Sequence, residues 1–163
     1  MIDTNDFRNG MSMLGSAVSI VTTAHENNNY GMTVSAVCSV TDTPPTLLVC
    51  INRKAWSHDF FISSGVLCVN ILSSSHEDLS SSFANKLLSM ADRFNSHRWS
   101  KLHTGAPALD DALVNFDCEI NEVIENGSHS VMFAKIREIR MGQPSSGLIY
   151  FNRNYHGIPG NTL

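Results

Sequence analysis

Alternation of apolar and polar residues is clearest in the second half of the chain, where it predicts a long β-hairpin. A strand is predicted over residues 113–124, and every second residue from 114 to 120 is apolar: Val114, Phe116, Cys118 and Ile120. A period of two predicts a strand with one face toward the core and the other toward water, the latter carrying Asn115, Asp117, Glu119 and Asn121. The pair Asn126-Gly127 predicts a tight turn. The return strand is predicted over residues 131–139.

Apolar runs predict further strands in the first half of the chain and near its end. These strands cover residues 17–23, 31–45, 46–52, 66–72 and 148–151. The segment 31–45 is predicted as one strand with small hydroxyl side chains, terminated by Pro44 and Pro45. The polar tip 25–29 predicts a hairpin turn between the first two strands.

Helical signals are fewer and shorter. Asp3 or Thr4 can cap a first helix whose apolar face carries Phe7, Met11 and Leu14. A turn over residues 53–61 is predicted to open a short helix, and a second helix is predicted to start near residues 73–77. Residues 85–107 mix polar and apolar positions and are predicted as a helix followed by a long surface excursion, a frequent place for lids or partner contacts.

These elements predict a mainly β fold, a β-barrel with a few helices. About seven strands do not alternate with helices, which disfavours a doubly wound nucleotide-binding fold. Closure into a small barrel fits because it removes exposed strand edges. With no internal repeat and no linker, residues 1–163 are predicted to form a single domain.

Composition narrows the function. The net charge is −4, the pI is near 5.9 and no basic stripe occurs, which disfavours a nucleic-acid partner. Only 16% of residues are charged, so part of the surface is predicted to be covered by a second subunit or another partner. No apolar run is long enough to cross a membrane, and the N-terminus lacks an apolar signal core, so we expect a cytoplasmic protein. Four separated cysteines are predicted to be small apolar residues in a reducing compartment.

Most motifs of catalytic chemistry are missing from the sequence. Seven scattered histidines give little support for a metal site, and no metal ligands and no catalytic acid–base residues are predicted. The run Gly127-Ser128-His129-Ser130 suggests a serine hydrolase only weakly. Adjacent side chains on a strand are expected to point apart, so they are not expected to form a nucleophile–base pair.

The strongest candidate chemistry is a flat wall beside small hydroxyl groups. Thr33, Val34, Ser35 and Ala36, with Ser39 and Val40 further on, can accept a planar ring against the backbone and offer polar contacts to its heteroatoms. The alternative is an ordinary barrel strand, in which Thr and Val are common.

Two further groups complete the candidate site. The segment from Asn52 through Arg53 to Ser57 joins a strand end to a predicted helix start, where free N–H groups and cations can hold a phosphate. The alternative is a solvated basic turn with a serine cap. His129, Tyr155 and His156 are candidates to lie near the open face of a bound ring; the alternative is that they face solvent or are satisfied within the fold.

Several stretches together resemble one known family in order along almost the whole chain. The most specific is the block from Gly31 to Asn52, which contains the run Ala36-Val37-Cys38-Ser39-Val40-Thr41-Asp42-Thr43-Pro44-Pro45. The other stretches are Phe7-Arg8, Gly15-Ser16-Ala17-Val18, Val21-Thr22-Thr23, Leu67-Cys68-Val69-Asn70-Ile71-Leu72, Phe83-Ala84, Arg93-Phe94 with Trp99, Gly127-Ser128-His129 and Gly147-Leu148-Ile149-Tyr150-Phe151 with Tyr155-His156. The sequence resembles the flavin reductase family with the split-barrel flavin-binding fold, in particular the reductase components of two-component monooxygenases.

The resemblance implies an NAD(P)H:flavin oxidoreductase that reduces FMN or FAD with NADH or NADPH. It implies a homodimer that supplies reduced flavin to a partner monooxygenase. It places flavin contacts on the segment Thr33–Val40, on the segment Cys50–Ser57 and at Phe83, and nicotinamide contacts at His129, Tyr155 and His156. The alternative is a non-catalytic flavin-binding or redox-sensing protein of the same fold.

One position departs from the family pattern. Trp56 stands where close relatives have a serine, so the expected phosphate contact moves to Ser57, Arg53 or backbone amides.

Overall fold

The structure, a computed structural model, describes residues 1–160 of the 163-residue chain and is dominated by β-strands. In that range the strands are β1 (Ser16–Ala17), β2 (Ser19–His25), β3 (Asn28–Val34), β4 (Val37–Asp42), β5 (Pro45–Asn52), β6 (Val66–Ile71), β7 (Trp99–Lys101), β8 (Pro107–Leu109), β9 (Val114–Asn126), β10 (His129–Met141), β11 (Gly147–Phe151) and β12 (Asn154–Ile158). The helices are α1 (Thr4–Ser12), α2 (His58–Ser64), α3 (Glu77–Ala84) and α4 (Met90–Asn95), with a 3₁₀ turn at Ser74–His76. None of these helices has the length and apolar character needed to span a bilayer.

Seven strands form one antiparallel sheet that curls into a barrel. Their order is β3-β2-β6-β9-β10-β5-β4, so β3 and β4 are the two edges. Only Ser35 and Ala36 connect these edges, and three Cα–Cα steps reach at most about 11 Å. The end of β3 and the start of β4 must therefore lie close together, although no strand ladder joins these edges within residues 1–160. This unpaired seam confirms the predicted split barrel.

The barrel buries apolar side chains on both sides of its wall. Its interior contains Val21, Val49 and Met132, each fully buried. A second cluster on the outer side contains Ile20 and Phe83, and it packs α3 and the small sheet β1-β11-β12 against the barrel. Because neighbouring residues of β2 enter different clusters, β2 is buried continuously instead of on alternate positions.

The hairpins predicted from turn residues are confirmed. Glu26 and Asn27 have φ values of 48° and 63° in the β2–β3 turn, and Gly127 has φ 57° in the β9–β10 turn. Strand β12, which pairs with β11, was not predicted. Its turn is made by Asn152 and Arg153 at φ 49° and 62°. Arginine gives no turn signal, because long side chains rarely adopt positive φ.

The predicted single strand over residues 31–45 is wrong. The chain leaves β3 after Val34, crosses the seam, and runs back along the opposite edge as β4. Pro44 and Pro45 do not simply end a strand, since they lie in the β4–β5 hairpin, where Asp42 pairs with Pro45. The break at Ser35 is a consequence of barrel closure, which local residue preferences do not encode.

The predicted wet face of β9 is wrong for Asn115 and Asp117, whereas Glu119 is half-exposed and Asn121 is exposed as expected. Asn115 and Asp117 are 1% and 0% exposed, because residues 99–112 with β7 and β8 cover that face. Asp117 accepts hydrogen bonds from the Thr104 amide at 2.7 Å and from the Thr104 hydroxyl at 2.5 Å. Asn115 donates to the Asn70 side chain at 2.7 Å. Polar residues on a strand can thus face a polar interior instead of solvent.

The predicted helices are confirmed. The Asp3 carboxylate accepts from the Asn5 amide at 2.6 Å and caps α1. Ser73 and His76 form a reciprocal capping box before α3, and the segment after Asn85 forms α4 followed by the long excursion to Pro107.

Candidate functional site

The main cleft has a volume of about 700 Å³ and lies beside the end of β3. Four parts of the chain line it: Met32 and Thr33 on β3, residues 54–57 before α2, Phe83, Ala84 and Lys86 at the end of α3, and Leu88, Ser89, Met90 and Arg93 around the start of α4. This volume lies in the range of small-molecule binding sites.

Phe83 forms a rigid wall of the main cleft. Its ring contacts Phe94 and Trp99, with centroids 5.0 and 5.6 Å away. Gly31 leaves room for this ring, since a Cβ atom at position 31 would lie 2.9 Å from Phe83 Cε1. The glycine of β3 therefore sets how close the phenyl ring lies to the barrel.

The main cleft is strongly cationic. Lys54, Lys86 and Arg93 line it, and no carboxylate does among residues 1–160, although the whole chain is net acidic. Arg93 donates from Nη1 to the Phe83 carbonyl at 3.0 Å and from Nη2 to the Asn85 carbonyl at 2.7 Å. Its Nε atom is buried without a partner within the described residues, and burial lowers the pKa of the guanidinium. An anion in the cleft would offset that loss of solvation.

Hydroxyl groups complete the lining. Ser57 is 4% exposed. Within residues 1–160 its hydroxyl makes one weak hydrogen bond, to Met32 Sδ at 3.6 Å. Thr33 instead donates to the Ser80 carbonyl at 2.6 Å. The Ser80 hydroxyl in turn meets the Tyr155 hydroxyl at 2.8 Å. Ser57 thus has hydrogen-bonding capacity left for a ligand, whereas the Thr33 hydroxyl already has a partner.

A second cleft of about 660 Å³ lies on the other side of the seam. Ser35, Ala36 and Cys50 line it together with one face of α1. Burial, with a contribution from the nearby Cys38, raises the pKa of the Cys50 thiol. The thiol is thereby kept protonated and poorly nucleophilic.

The remaining predicted flavin contacts lie elsewhere. Val34 is buried in the barrel core, and Ser39 and Val40 are exposed on β4. The Asn52 side chain accepts from the Lys54 amide at 2.9 Å, which shapes the turn before α2. Arg53 lies in a separate cavity, where it forms a 2.9 Å ion pair with Glu125. The structure therefore gathers Thr33, Ser57 and Phe83 at the main cleft, and Ser35, Ala36 and Cys50 at the second.

The three predicted nicotinamide contacts are not gathered in one place. His129 begins β10 opposite Asn52 and is exposed. Tyr155 packs against the outer apolar cluster, next to the main-cleft wall through Ser80. His156 is exposed, with its Nε2 atom 3.2 Å from the Phe151 carbonyl. As neighbours on β12, Tyr155 and His156 point to opposite faces.

Ser128 and His129 do contact each other, contrary to the expectation for adjacent residues. The Ser128 hydroxyl lies 2.8 Å from His129 Nδ1, because the serine belongs to the hairpin turn and not to the strand. A hydrolase triad also needs a group that orients the other ring nitrogen. No hydrogen bond to His129 Nε2 occurs within the described chain.

Three possible metal ligands, His76, His97 and Asp111, have atoms within 4.8 Å of one another. His76 Nδ1 accepts the Ser73 amide N–H at 3.1 Å, so the neutral ring carries its proton on Nε2, which faces Asp111 at 3.2 Å. A metal needs that nitrogen unprotonated. The cap before α3 accounts for this histidine, and the absence of a metal stays a prediction.

The cysteine prediction holds for two of the four residues. Cys68 and Cys118 are buried, and burial raises the pKa of Cys118 to about 12. Cys38 is exposed and Cys50 is half-buried, so these two are not core residues.

Lining of the main cleft by Lys86, Leu88 and Met90 was not predicted from the sequence. All lie in the segment 85–107, which was predicted as a helix followed by a long surface excursion, with no site residue assigned to it. The sequence does contain a signal for a binding surface there, since the basic residues Lys86 and Arg93 flank the apolar residues Leu88 and Met90.

Comparisons with known proteins agree with this geometry. Residues 11–159 match the family model described as flavin reductase like domain. The FMN reductase (NADH) RutF of Pantoea ananatis (strain LMG 20103) is 48% identical over 157 residues, which are 96% of this chain and 82% of that protein. A crystal structure assigned as a flavin reductase of Haemophilus somnus 129pt has a TM-score of 0.94 and 46% identity, covering 96% of this chain and 100% of that chain. The nitrilotriacetate monooxygenase component B homologue of Mycobacterium thermoresistibile has a TM-score of 0.90 and 28% identity, covering 99% and 90%.

The split barrel has a cationic cleft beside a hydroxyl-bearing strand, and the chemistry of this lining fits a planar ligand that carries phosphate. The chain belongs to the family of flavin reductase-like domains. Membership confirms the predicted enzyme class, flavin reductase.

Proposed function

We propose that this chain reduces FMN with NADH and releases the reduced flavin to a partner monooxygenase. The observation that carries the proposal is the lining of the main cleft, which contains Lys54, Lys86 and Arg93. The Ser57 hydroxyl, whose one hydrogen bond within residues 1–160 is to Met32 Sδ, lies in the same lining as Thr33. Similarity to an FMN reductase (NADH) over nearly the whole chain supports the choice of FMN and NADH. Similarity to component B of a monooxygenase supports a partner enzyme.

The residues fit a flavin phosphate. Lys54, Lys86 and Arg93 supply positive charge, and Ser57 and the unpartnered Arg93 Nε supply donors. Phosphate binding by such a set depends on charge-assisted hydrogen bonds, which are about twice as strong as neutral ones. The isoalloxazine ring is proposed to lie along the segment from Thr33 to Ala36, which separates the two clefts.

When bound, the flavin supplies the hydride-accepting atom, and the reduced nicotinamide supplies the hydride. The chain itself needs no acid–base pair for this transfer. Its residues bind the phosphate, hold the ring against the barrel wall and keep water from one side. Orientation of the two rings is the main contribution expected from the protein.

Lys86→Ala tests the phosphate assignment. Lys86 is exposed at the cleft edge, so its loss should leave the fold intact and raise the KM for FMN about tenfold. The KM for riboflavin, which has no phosphate, should not change. Steady-state oxidation of NADH with each flavin provides the measurement, and NADPH and FAD define the remaining preferences.

Lys101→Ala is the matched control, since Lys101 is an exposed lysine on β7 outside the cleft. Equal effects of Lys86→Ala on FMN and riboflavin would contradict the phosphate assignment. A wild-type protein that binds FMN but never oxidises NADH would contradict the proposed reaction.

The release of reduced flavin is proposed because the edge of the main cleft is open to solvent. Lys54, Trp56 and Lys86 are exposed there. We further propose a homodimer in the cytoplasm, with residues 1–163 as one domain. The four free cysteines support a reducing compartment.

A further inference from the structure

Trp56 is the largest exposed aromatic side chain at the main cleft. It is 68% exposed, and it lines the cleft next to Lys54 and Ser57. An indole at this degree of exposure contributes little to the core. The exposure of Trp56 in the cleft lining therefore indicates that the indole can contact a bound ligand.

The indole is nevertheless held in place. Tyr30 and Phe60 stack on each other with centroids 3.8 Å apart and planes at 11°. Trp56 contacts this pair with centroid distances of 5.6 Å to Tyr30 and 5.4 Å to Phe60. A side chain that is already fixed loses less conformational entropy when a ligand binds.

The geometry leaves the indole available for stacking. Its plane makes angles of 52° with Tyr30 and 63° with Phe60, so neither ring lies parallel on it. A packing residue would be expected to bury both faces. Trp56 instead offers flat apolar surface at the rim of a site whose cations attract phosphate.

The ligand chemistry that matches is a planar heteroaromatic ring joined to phosphate groups. Lys54 is two residues away in the chain, and Lys86 lines the same cleft, so phosphates bound there would bring an attached base near the indole. Purine bases stack well on tryptophan because both partners have extended π-faces.

We propose that Trp56 is a stacking platform for the adenine of a dinucleotide, which makes it a specificity-determining residue of the flavin reductase reaction. The proposal deepens the proposed function and rests on it for the position of the phosphates. Adenine can come from two substrates, FAD or NADH. In either case Trp56 adds binding free energy for the dinucleotide that the mononucleotide, FMN or reduced nicotinamide mononucleotide, does not receive.

The first experiment probes the platform without any flavin. ADP is titrated into the wild-type protein while tryptophan fluorescence is followed. Quenching that saturates is expected, and it should be lost in Trp56→Ala, in which Trp99 is the remaining tryptophan. Trp56→Phe, which keeps an aromatic face, should retain ADP binding measured by calorimetry. Absence of quenching in the wild-type protein, or equal quenching in Trp56→Ala, would overturn the proposal.

The second experiment identifies the source of the adenine. The ratio of KM values is measured for FAD against FMN, and for NADH against reduced nicotinamide mononucleotide. Trp56→Ala should shift one ratio about tenfold against the dinucleotide, a size typical of base–aromatic stacking. A shift of the first ratio assigns FAD, and a shift of the second assigns NADH.

The two proposals fail in different ways. If neither ratio moves, the platform is overturned while flavin reduction stands. If the wild-type protein reduces no flavin, the proposed function fails, and the ADP titration alone still decides whether Trp56 binds adenine. Unchanged unfolding temperature of Trp56→Phe and Trp56→Ala separates loss of binding from loss of fold.

Discussion

At the scale of single residues, the most informative group is the polar network between β9 and its cover. Asn70, Asn115 and Asp117 are buried, and they bond to each other, to Thr104 or to the backbone of Leu109. Burial raises the pKa of the Asp117 carboxyl, and the two bonds from Thr104 offset part of that rise. The network holds residues 99–112 over the barrel. Because it contains Asp117, it makes the free energy of unfolding depend on pH.

Asp117→Asn should reveal this dependence. The unfolded chain loses the Asp117 proton near the ordinary value of 3.8, whereas the folded chain keeps it to a higher pH. The folded state therefore binds more protons in this window, and the wild-type protein loses stability as pH rises through it. Relative to wild type, Asp117→Asn should gain about 1.4 kcal/mol for each unit by which the pKa is raised.

Urea unfolding of both proteins between about pH 3 and pH 7 gives the measurement. The difference in unfolding free energy should rise with pH and level off above the raised pKa of Asp117. A difference that is constant across this range would show that Asp117 titrates as an ordinary carboxyl group.

At the scale of elements, β3 forms one wall of the main cleft and touches both the barrel and α3. Because Gly31 has no side chain, Phe83 of α3 approaches the backbone of β3 closely at this position. The glycine in this strand is visible in the sequence, but the ring that packs against it is not. Gly31 and Phe83 are 52 residues apart in the chain, so only packing of α3 on the barrel brings them together.

Gly31→Ala should therefore disturb both stability and flavin binding. The new Cβ would lie 2.9 Å from Phe83 and 3.2 Å from Thr22, and the overpacking should destabilise the fold by about 1–3 kcal/mol. Displacement of Phe83 should also raise the KM for flavin. Chemical denaturation and steady-state kinetics measure the two effects.

Gly10→Ala is the matched control. Gly10 lies in α1, and nothing lies within 4 Å of its added Cβ, so this change should stabilise the protein by about 0.5–1 kcal/mol. If Gly31→Ala and Gly10→Ala had the same effect on stability, the contact with Phe83 would not be tight.

At the scale of the whole molecule, α1 lies outside the barrel with its apolar face uncovered. Phe7 and Leu14 are 60% and 61% exposed, and Met11 is exposed beside them. These residues line the second cleft, which also contains Ser35 and Ala36. The proposed homodimer would cover this face, because exposed apolar patches of this kind mark interaction sites.

Sedimentation equilibrium should give a mass of two chains for the wild-type protein. Phe7→Glu places a charge in the apolar face and should shift the protein toward monomers at micromolar concentration. Asn5→Glu adds the same charge on the opposite side of α1 and should leave association unchanged. A monomeric wild-type protein would contradict the proposed dimer.

Much of the fold follows from local patterns in the sequence. The presence of strand β9, the turn at Gly127 and the cap at Asp3 each depend on residues close together in the chain, so each was predicted correctly. The class of ligand was implied by the resemblance to the flavin reductase family, whose most specific stretch is the block from Gly31 to Asn52.

Tertiary structure alone decided which of these residues meet. Barrel closure broke the segment 31–45 at Ser35, and it sent Thr33 and Ser35 to different clefts. The segment after α3 places Arg93 in the same cleft as Lys54. Its later part, which contains Thr104, covers Asp117. These outcomes depend on contacts between distant parts of the chain. Their free energies are set by the burial and pairing of side chains in the closed barrel, which no local pattern records.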